Sequence, residues 1–436
     1  MDLIIVLGSL LIFAILIFSG VPIPFGFLAS TIFFAVFQGI DFSFLLPVGF
    51  TNLNAVTLLS MPFFIATGYI VSGGSIAKRL IDFVNVMVGR LPGGLGVVAV
   101  IVSAIFGAIS GAAASSVIAI GTIMIPEMEK HGYPRGYSAA LISSAAVLST
   151  MIPPSLAMIM YAFVTEQSVA ACFLSTIGPA ILLSVFFSVA NIVMVRNMTS
   201  VQVNPKRPFD QQMKLVSVKF REAFGALLLP VIILGGIYGG IMTPTEAASA
   251  SVVYSVILGV VIYREMTVRQ ASFLLRSSVS STGTMMLMTF FAAILSRAYA
   301  MEQIPQLVAE YMLGITQNKV LLLLLINIFL IFVGMVVDML SGILLVTPLL
   351  YPIILELGID PIHFAAIIGT NLGMGMMTPP MAGILYIGAK TGGVTIDKMM
   401  KPTMILILFC SIPVILVTTY WPDLSLFLPR LMGFVK

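Results

Sequence analysis

The stretch from Ser115 to Tyr161 recurs, without a gap, from Ser341 to Ile387. Pro126, Gly132 and the pair Pro153-Pro154 reappear as Pro352, Gly358 and Pro379-Pro380, each 226 residues later. Nine of the 47 aligned positions are identical. A chain that draws on few residue types matches itself at some positions by chance. Chance does not readily place a lone Pro, a Gly and a double Pro at matched spacings. The chain therefore reads as a duplication in which each half carries one interrupted helix at the same place. Paired broken helices of this kind build binding sites at mid-membrane depth, which points to secondary transport.

Charge content agrees with a membrane setting. Only 9% of the 436 residues are charged and 59% are hydrophobic, against about 25% charged in soluble domains. Many apolar runs are long enough to cross about 30 Å of hydrocarbon at roughly 20 residues each. The expected fold is an all-α polytopic membrane protein. Leu3 to Phe18 lacks a basic flank, with Asp2 where Lys or Arg would stand in a signal peptide, so it reads as a retained first span. Cys172 and Cys410 lie in apolar runs and read as buried small hydrophobes without a disulfide. The net charge of +4 is no nucleic-acid signal; basic residues in such a chain report orientation.

Each half divides into matching pieces. In the first repeat, residues 1–195, spans fall near 3–19, 21–40 and 55–73. An amphipathic arm at 75–91, an interrupted apolar segment at 94–128, a broken span at 137–165 and a last span at 173–195 follow. In the second repeat, residues 223–436, the counterparts are 223–240, 244–263, 279–297, 302–314, 319–356, 363–389 and 402–420. Residues 196–222 form a basic linker containing Lys206, Arg207, Lys214, Lys219 and Arg221, suited to rest near anionic headgroups.

The interrupted segments read as re-entrant hairpins, because Gly111 to Ser116 and Asp338 to Gly342 fall near their middles. Small residues let backbones approach, and hydroxyls can satisfy freed peptide groups. With two hairpins each half crosses five times, so the halves form an inverted repeat. Setting both termini outside then places 17 of the 21 basic residues inside, leaving Arg297, Lys319, Arg430 and Lys436 outside. Treating the hairpins as full spans would weaken that bias, so the positive-inside rule selects the hairpins.

Enzyme chemistry is not expected: His131 and His363 lie apart, and no span carries metal-ligand spacing. Asp338 is the main charge in the apolar interior, where a carboxylate costs about 2.5–3.5 kcal/mol and needs a partner. Its counterpart in the other half is Ala112. A charge present in one half only suggests a coupling-ion role; the alternative is a hydrogen-bond anchor for the hairpin tip. The double Pro of each broken span removes backbone donors and frees upstream carbonyls as hard oxygen ligands. The half-helix beyond presents peptide N–H groups suited to an anion. Ser110, Ser115, Ser116, Ser149, Thr150, Ser155, Ser341, Asn371 and Thr378 supply polar side chains there. Hydroxyls in membrane helices often bond their own carbonyls instead. No Lys or Arg lies in the predicted core of any span, so an acid would meet hydroxyls, N–H groups and a co-bound cation. Glu246 after Thr243 reads as a helix-start carboxylate.

Gly107 to Ser116, Ile152-Pro-Pro-Ser155, Gly239 to Ala248 and Gly375 to Pro380 resemble the large membrane subunit of TRAP transporters, over essentially the whole chain. The resemblance implies a bacterial inner-membrane importer of organic acids driven by sodium. It implies an elevator-type fold with a scaffold and a transport domain. It further implies a periplasmic substrate-binding protein and a small membrane subunit as a separate chain. Sodium would sit where each hairpin tip meets an unwound segment, at Ser110, Gly111, Ser115, Ser149, Thr150, Asp338, Ser341, Gly342, Gly373, Gly375 and Thr378. Substrate would meet Ser116, Pro153, Pro154, Ser155, Asn371, Pro379 and Pro380. Sialic acid is the first choice of substrate and a C4-dicarboxylate its rival; a self-sufficient anion symporter is the other reading.

Overall fold

The computed structural model describes residues 2–74, 76–196, 198–202, 208–379 and 381–435, and every regular element among them is helical. The first half contains α1 (Asp2–Phe18), α2 (Ile23–Gln38), α3 (Leu45–Leu53), α4 (Ser60–Gly73), α5 (Ile76–Val88), α6 (Gly94–Ser110) and α7 (Ala113–Lys130). It continues with α8 (Arg135–Ala145), α9 (Leu148–Met151), α10 (Leu156–Thr165) and α11 (Val169–Arg196). The second half runs through α12 (Phe209–Tyr238), α13 (Pro244–Ile257), α14 (Val268–Met301), α15 (Ile304–Ile315), α16 (Lys319–Val336) and α17 (Met339–Glu356). It closes with α18 (Pro361–Met376), α19 (Gly383–Gly392), α20 (Ile396–Leu406), α21 (Ile412–Tyr420) and α22 (Asp423–Leu431). Among the described residues, eight helices are long and apolar enough to cross a membrane; α8–α9 and α10 make a ninth if that pair, bent by 41°, is one span.

Local chemistry sets the helix starts. Pro24 and Pro244 sit in first turns, where a missing N–H costs nothing. Thr243 and Glu246 form a reciprocal capping box, as the sequence leads one to expect. Thr267 and Gln270 build a second box at the head of α14. Asp360 accepts from Ile362 N at 2.7 Å to start α18.

Several lengths differ from expectation. α12 begins at Phe209 rather than 223, so Lys214, Lys219 and Arg221 of the expected linker lie on a helix. Lys206 and Arg207 lie outside the described residues. The polar start of α12 packs on amphipathic α5, where Lys219 reaches Asp82 at 3.2 Å and Glu222 at 2.8 Å. α14 spans 268–301 rather than 279–297, because its capping box starts it early. α3 and α22 have no counterpart in the sequence reading.

Two packing groups emerge. Helices α1–α4 and α12–α14 pack on one another, with α4 held against both α13 and α14. The second group holds α6–α11 and α16–α21. In it α6 and α7 embrace α8 and α7 reaches α19, while α16 and α17 embrace α18 and α17 reaches α10. Each half-helix beyond a break thus crosses to the other half's hairpin. In lipid no hydrophobic force separates helix from solvent, so close packing through small residues carries this association. At Gly375, an added Cβ would lie 2.5 Å from Gly334 Cα, which shows how near α18 comes to α16.

Candidate transport site at two hairpin tips and two helix breaks

The first tip turns at Gly111, whose φ of 62° is a left-handed conformation that glycine adopts without strain. Ala112 is extended and α7 begins at Ala113 without a side-chain cap. A Cβ on Gly111 would stand 2.6 Å from the Pro154 carbonyl, and Gly107 packs on the backbone of Ser149. The tip is therefore seated directly on the first break. There the chain leaves the helix at Ile152, passes Pro153 and Pro154, and starts α10 with Ser155 as cap. Two carbonyls expected to be freed are engaged: Ser155 Oγ donates to Thr150 O, and Thr176 Oγ1 donates to Met151 O at 2.5 Å. Each keeps a second lone pair.

The hydroxyls divide into two classes. Ser115 donates to Ala112 O at 2.9 Å and Thr150 to Val147 O at 2.8 Å, local bonds that occupy them within their own helices. Ser149 donates to Ser103 O at 2.9 Å, tying the break to α6. By contrast, the buried Ser110 and Ser116 hydroxyls have no hydrogen-bond partner among the described residues. A buried polar atom left unmade costs about 1–3 kcal/mol, so these two hydroxyls are the uncommitted ones at the first tip.

At the second tip the half-buried Asp338 holds the position that Ala112 holds at the first, the cap of the returning helix. One of its oxygens accepts from Leu340 N at 3.2 Å and the other from Ser341 Oγ. The geometry thus supplies the anchor function weighed against an ion role; a carboxylate has lone pairs left for both. Ser341 Oγ also lies 2.9 Å from Met288 Sδ on α14. Gly342 packs on Leu372, and Gly334 faces Leu372 and Gly375 on α18. Gly373 in turn abuts Val147 beside the first break, so the two breaks are neighbours. Thr378 donates to Met374 O at 2.8 Å. Asn371 donates to Asn327 at 2.9 Å, and its own carbonyl oxygen, buried, has no partner among the described residues. Pro379 follows the end of α18, and Pro380 lies outside the described residues.

One feature escaped the sequence. A cavity of about 480 Å³ opens between α3 and α14 on one side and α10 and α17 on the other. Asn52, Glu166, Ser296, Arg297 and Leu344 are among its lining residues. On α17 its lining is Leu344 and Pro348, the nearer of them about one turn beyond Ser341. The sequence puts Arg297 at the end of the 279–297 span and outside; α14 runs on to Met301, and Arg297 lines this cavity between the packing groups. Basic Arg297 within an apolar helix was the available signal.

Residues 10–424 match the tripartite ATP-independent periplasmic transporter, DctM component. Over 388 residues the chain is 36% identical to the C4-dicarboxylate TRAP transporter large permease protein DctM of Pseudomonas aeruginosa, covering 88% of each. Over 427 residues it is 32% identical to the sialic acid TRAP transporter large permease protein SiaM of Vibrio cholerae, covering 97% of this chain and 98% of that one. The solved YdaH transporter of Alcanivorax borkumensis shares the fold, with a TM-score of 0.61 at 15% identity over 88% of this chain and 89% of that one. A match along nearly the whole length, on a helical membrane fold with two broken helices, makes the chain a member of the DctM family of large TRAP transporter permeases.

Proposed function

We propose that this permease is the transport subunit of a sodium-coupled importer of an organic acid in the bacterial inner membrane. The acid arrives from a periplasmic binding protein, and a small membrane subunit completes the tripartite assembly. The observation that carries this reading is the seating of both hairpin tips on helix breaks, with unpartnered Ser110, Ser116 and Asn371 oxygens beside them. Sodium is a hard cation that prefers such oxygens, and the coupling ion would be held by the tips and unwound segments. The two halves act as inverted repeats, and the group built around the hairpins moves as an elevator against α1–α4 and α12–α14.

The substrate choice rests on the cavity. Its lining holds one cation, Arg297, and one carboxylate, Glu166, together with Asn52 and Ser296. A polyhydroxylated monoacid brings its carboxylate to Arg297 and hydroxyl donors to Glu166. A second carboxylate would face Glu166. This favours sialic acid over a C4-dicarboxylate, which is the alternative.

The test is uptake of radiolabelled sialic acid into proteoliposomes holding this chain and its small subunit, with an inward sodium gradient, with and without binding protein. Uptake requiring both sodium and binding protein is expected. Transport of succinate alone would move the substrate to the dicarboxylate class. Uptake without any binding protein would replace the tripartite reading with a self-sufficient symporter.

A further inference from the structure

At the end of the molecule rich in basic residues, a cavity of about 710 Å³ is lined by Arg135, Lys398, Lys401 and Glu129, together with Met194, Met198 and Ile405. Arg135 is committed: its Nε donates to Gly392 O at 2.5 Å and it pairs with Glu129 at 2.7 Å. Lys398 and Lys401 are exposed and make no ion pair among the described residues. The cavity therefore keeps two uncommitted positive charges.

A second cavity of about 510 Å³ continues from it, sharing Met194 and Ile405. Its remaining lining is apolar, including Val185, Val189, Val193 and Phe409. These four side chains are more than half exposed, at 51%, 54%, 61% and 68%, a surface that belongs in hydrocarbon. Along α11 the groove lining from Val185 to Met194 covers about 14 Å at 1.5 Å per residue. One leaflet of the hydrocarbon core is about 15 Å deep. The helix between α20 and α21 widens into a π turn at Ile407–Ser411, and Phe409 and Cys410 of that turn line the groove.

We infer that this continuous site binds an anionic phospholipid, with phosphate at Lys398 and Lys401 and an acyl chain along α11. Charge and shape select the same ligand: the basic end rejects zwitterionic headgroups, and the apolar groove gives a soluble phosphate no purchase. The site lies on helices of the hairpin group, so the lipid would travel with the body that carries the substrate. Basic pockets between membrane helices on the cytoplasmic side hold such headgroups elsewhere.

The experiment is native mass spectrometry of the full-length protein purified in mild detergent, with added phosphatidylglycerol, phosphatidylethanolamine or inorganic phosphate. Wild-type protein should retain phosphatidylglycerol about thirtyfold more strongly than a Lys398→Gln/Lys401→Gln double variant, from the two lost charges. Both lysines are exposed, so the variant should keep its melting temperature. Val189→Trp, which fills the groove from its exposed face, should also weaken retention while leaving both charges in place. Equal retention of phosphatidylethanolamine, or retention unchanged in the charge variant, would overturn the proposal. So would competition by inorganic phosphate, or indifference to Val189→Trp, since either would reduce the site to a headgroup-free anion patch.

Discussion

Asp338 and Ala112 occupy the same cap position at the two tips, and only one of them has a side chain that can cap. A single substitution separates its two roles. Asparagine caps helices about as well as aspartate, whereas alanine costs about 0.5–2 kcal/mol. Asp338→Asn should therefore leave the melting temperature near wild type while sodium-dependent uptake falls strongly. Asp338→Ala should lower both. Wild-type sodium dependence in the Asn variant would reduce Asp338 to an anchor. Arg297 makes a parallel case, because it makes no ion pair among the described residues and lines the cavity between the two packing groups. Arg297→Gln should raise the KM for an acid substrate about tenfold or more, since a charged hydrogen bond contributes about 1.5–3 kcal/mol. Its melting temperature should not move. An unchanged KM would remove Arg297 from the substrate path. The sequence showed Asp338 as an isolated charge, but not that its oxygens are engaged by Leu340 and Ser341.

At the scale of elements, the contact between α16 and α18 depends on two glycines facing each other. Gly375→Ala would drive a methyl to 2.5 Å from the Gly334 backbone, where no side chain can yield. Overpacking of this kind costs about 1–3 kcal/mol and moves backbone. We expect a lowered melting temperature and a larger loss of uptake than a comparable change at Gly383, which has open space around it. Equal effects at the two positions would refute a close-packed tip. The breaks before Pro153 and Pro379 were legible because Pro, Gly and hydroxyl clusters interrupt apolar runs, whereas α16 and α17 are each long and apolar enough to be a span. The starts of α12 and α14 were not, since polar helix carries no hydropathy signal and their ends are set by caps and by packing on α5.

Across the whole molecule, the two packing groups touch at each tip. The Ser110 backbone lies against Gly68 on α4, and Ser341 lies against Met288 on α14. If the hairpin group moves as an elevator, those contacts must break in every cycle. A Met288→Cys/Ser341→Cys pair bridged by a short bis-methanethiosulfonate reagent should stop uptake, and reduction should restore the reduced variant's rate. The native Cys172 and Cys410 are buried and should not interfere. Uptake that persists in the crosslinked protein would sink the elevator reading.

What the sequence determined by itself is whatever a local pattern enforces. Apolar length makes spans, a double Pro must break a helix, and a Thr-Pro-Thr-Glu start must cap one. Those physical demands act within a few residues and survive in any fold. Tertiary structure alone decided which oxygens stay unpartnered, that Gly373 brings the two breaks together, and that Arg297 faces a cavity rather than a loop. Each of these is a meeting between residues far apart in the chain. Their pairing follows from how the half-helices α10 and α19 cross between hairpins, a geometry that no local pattern encodes.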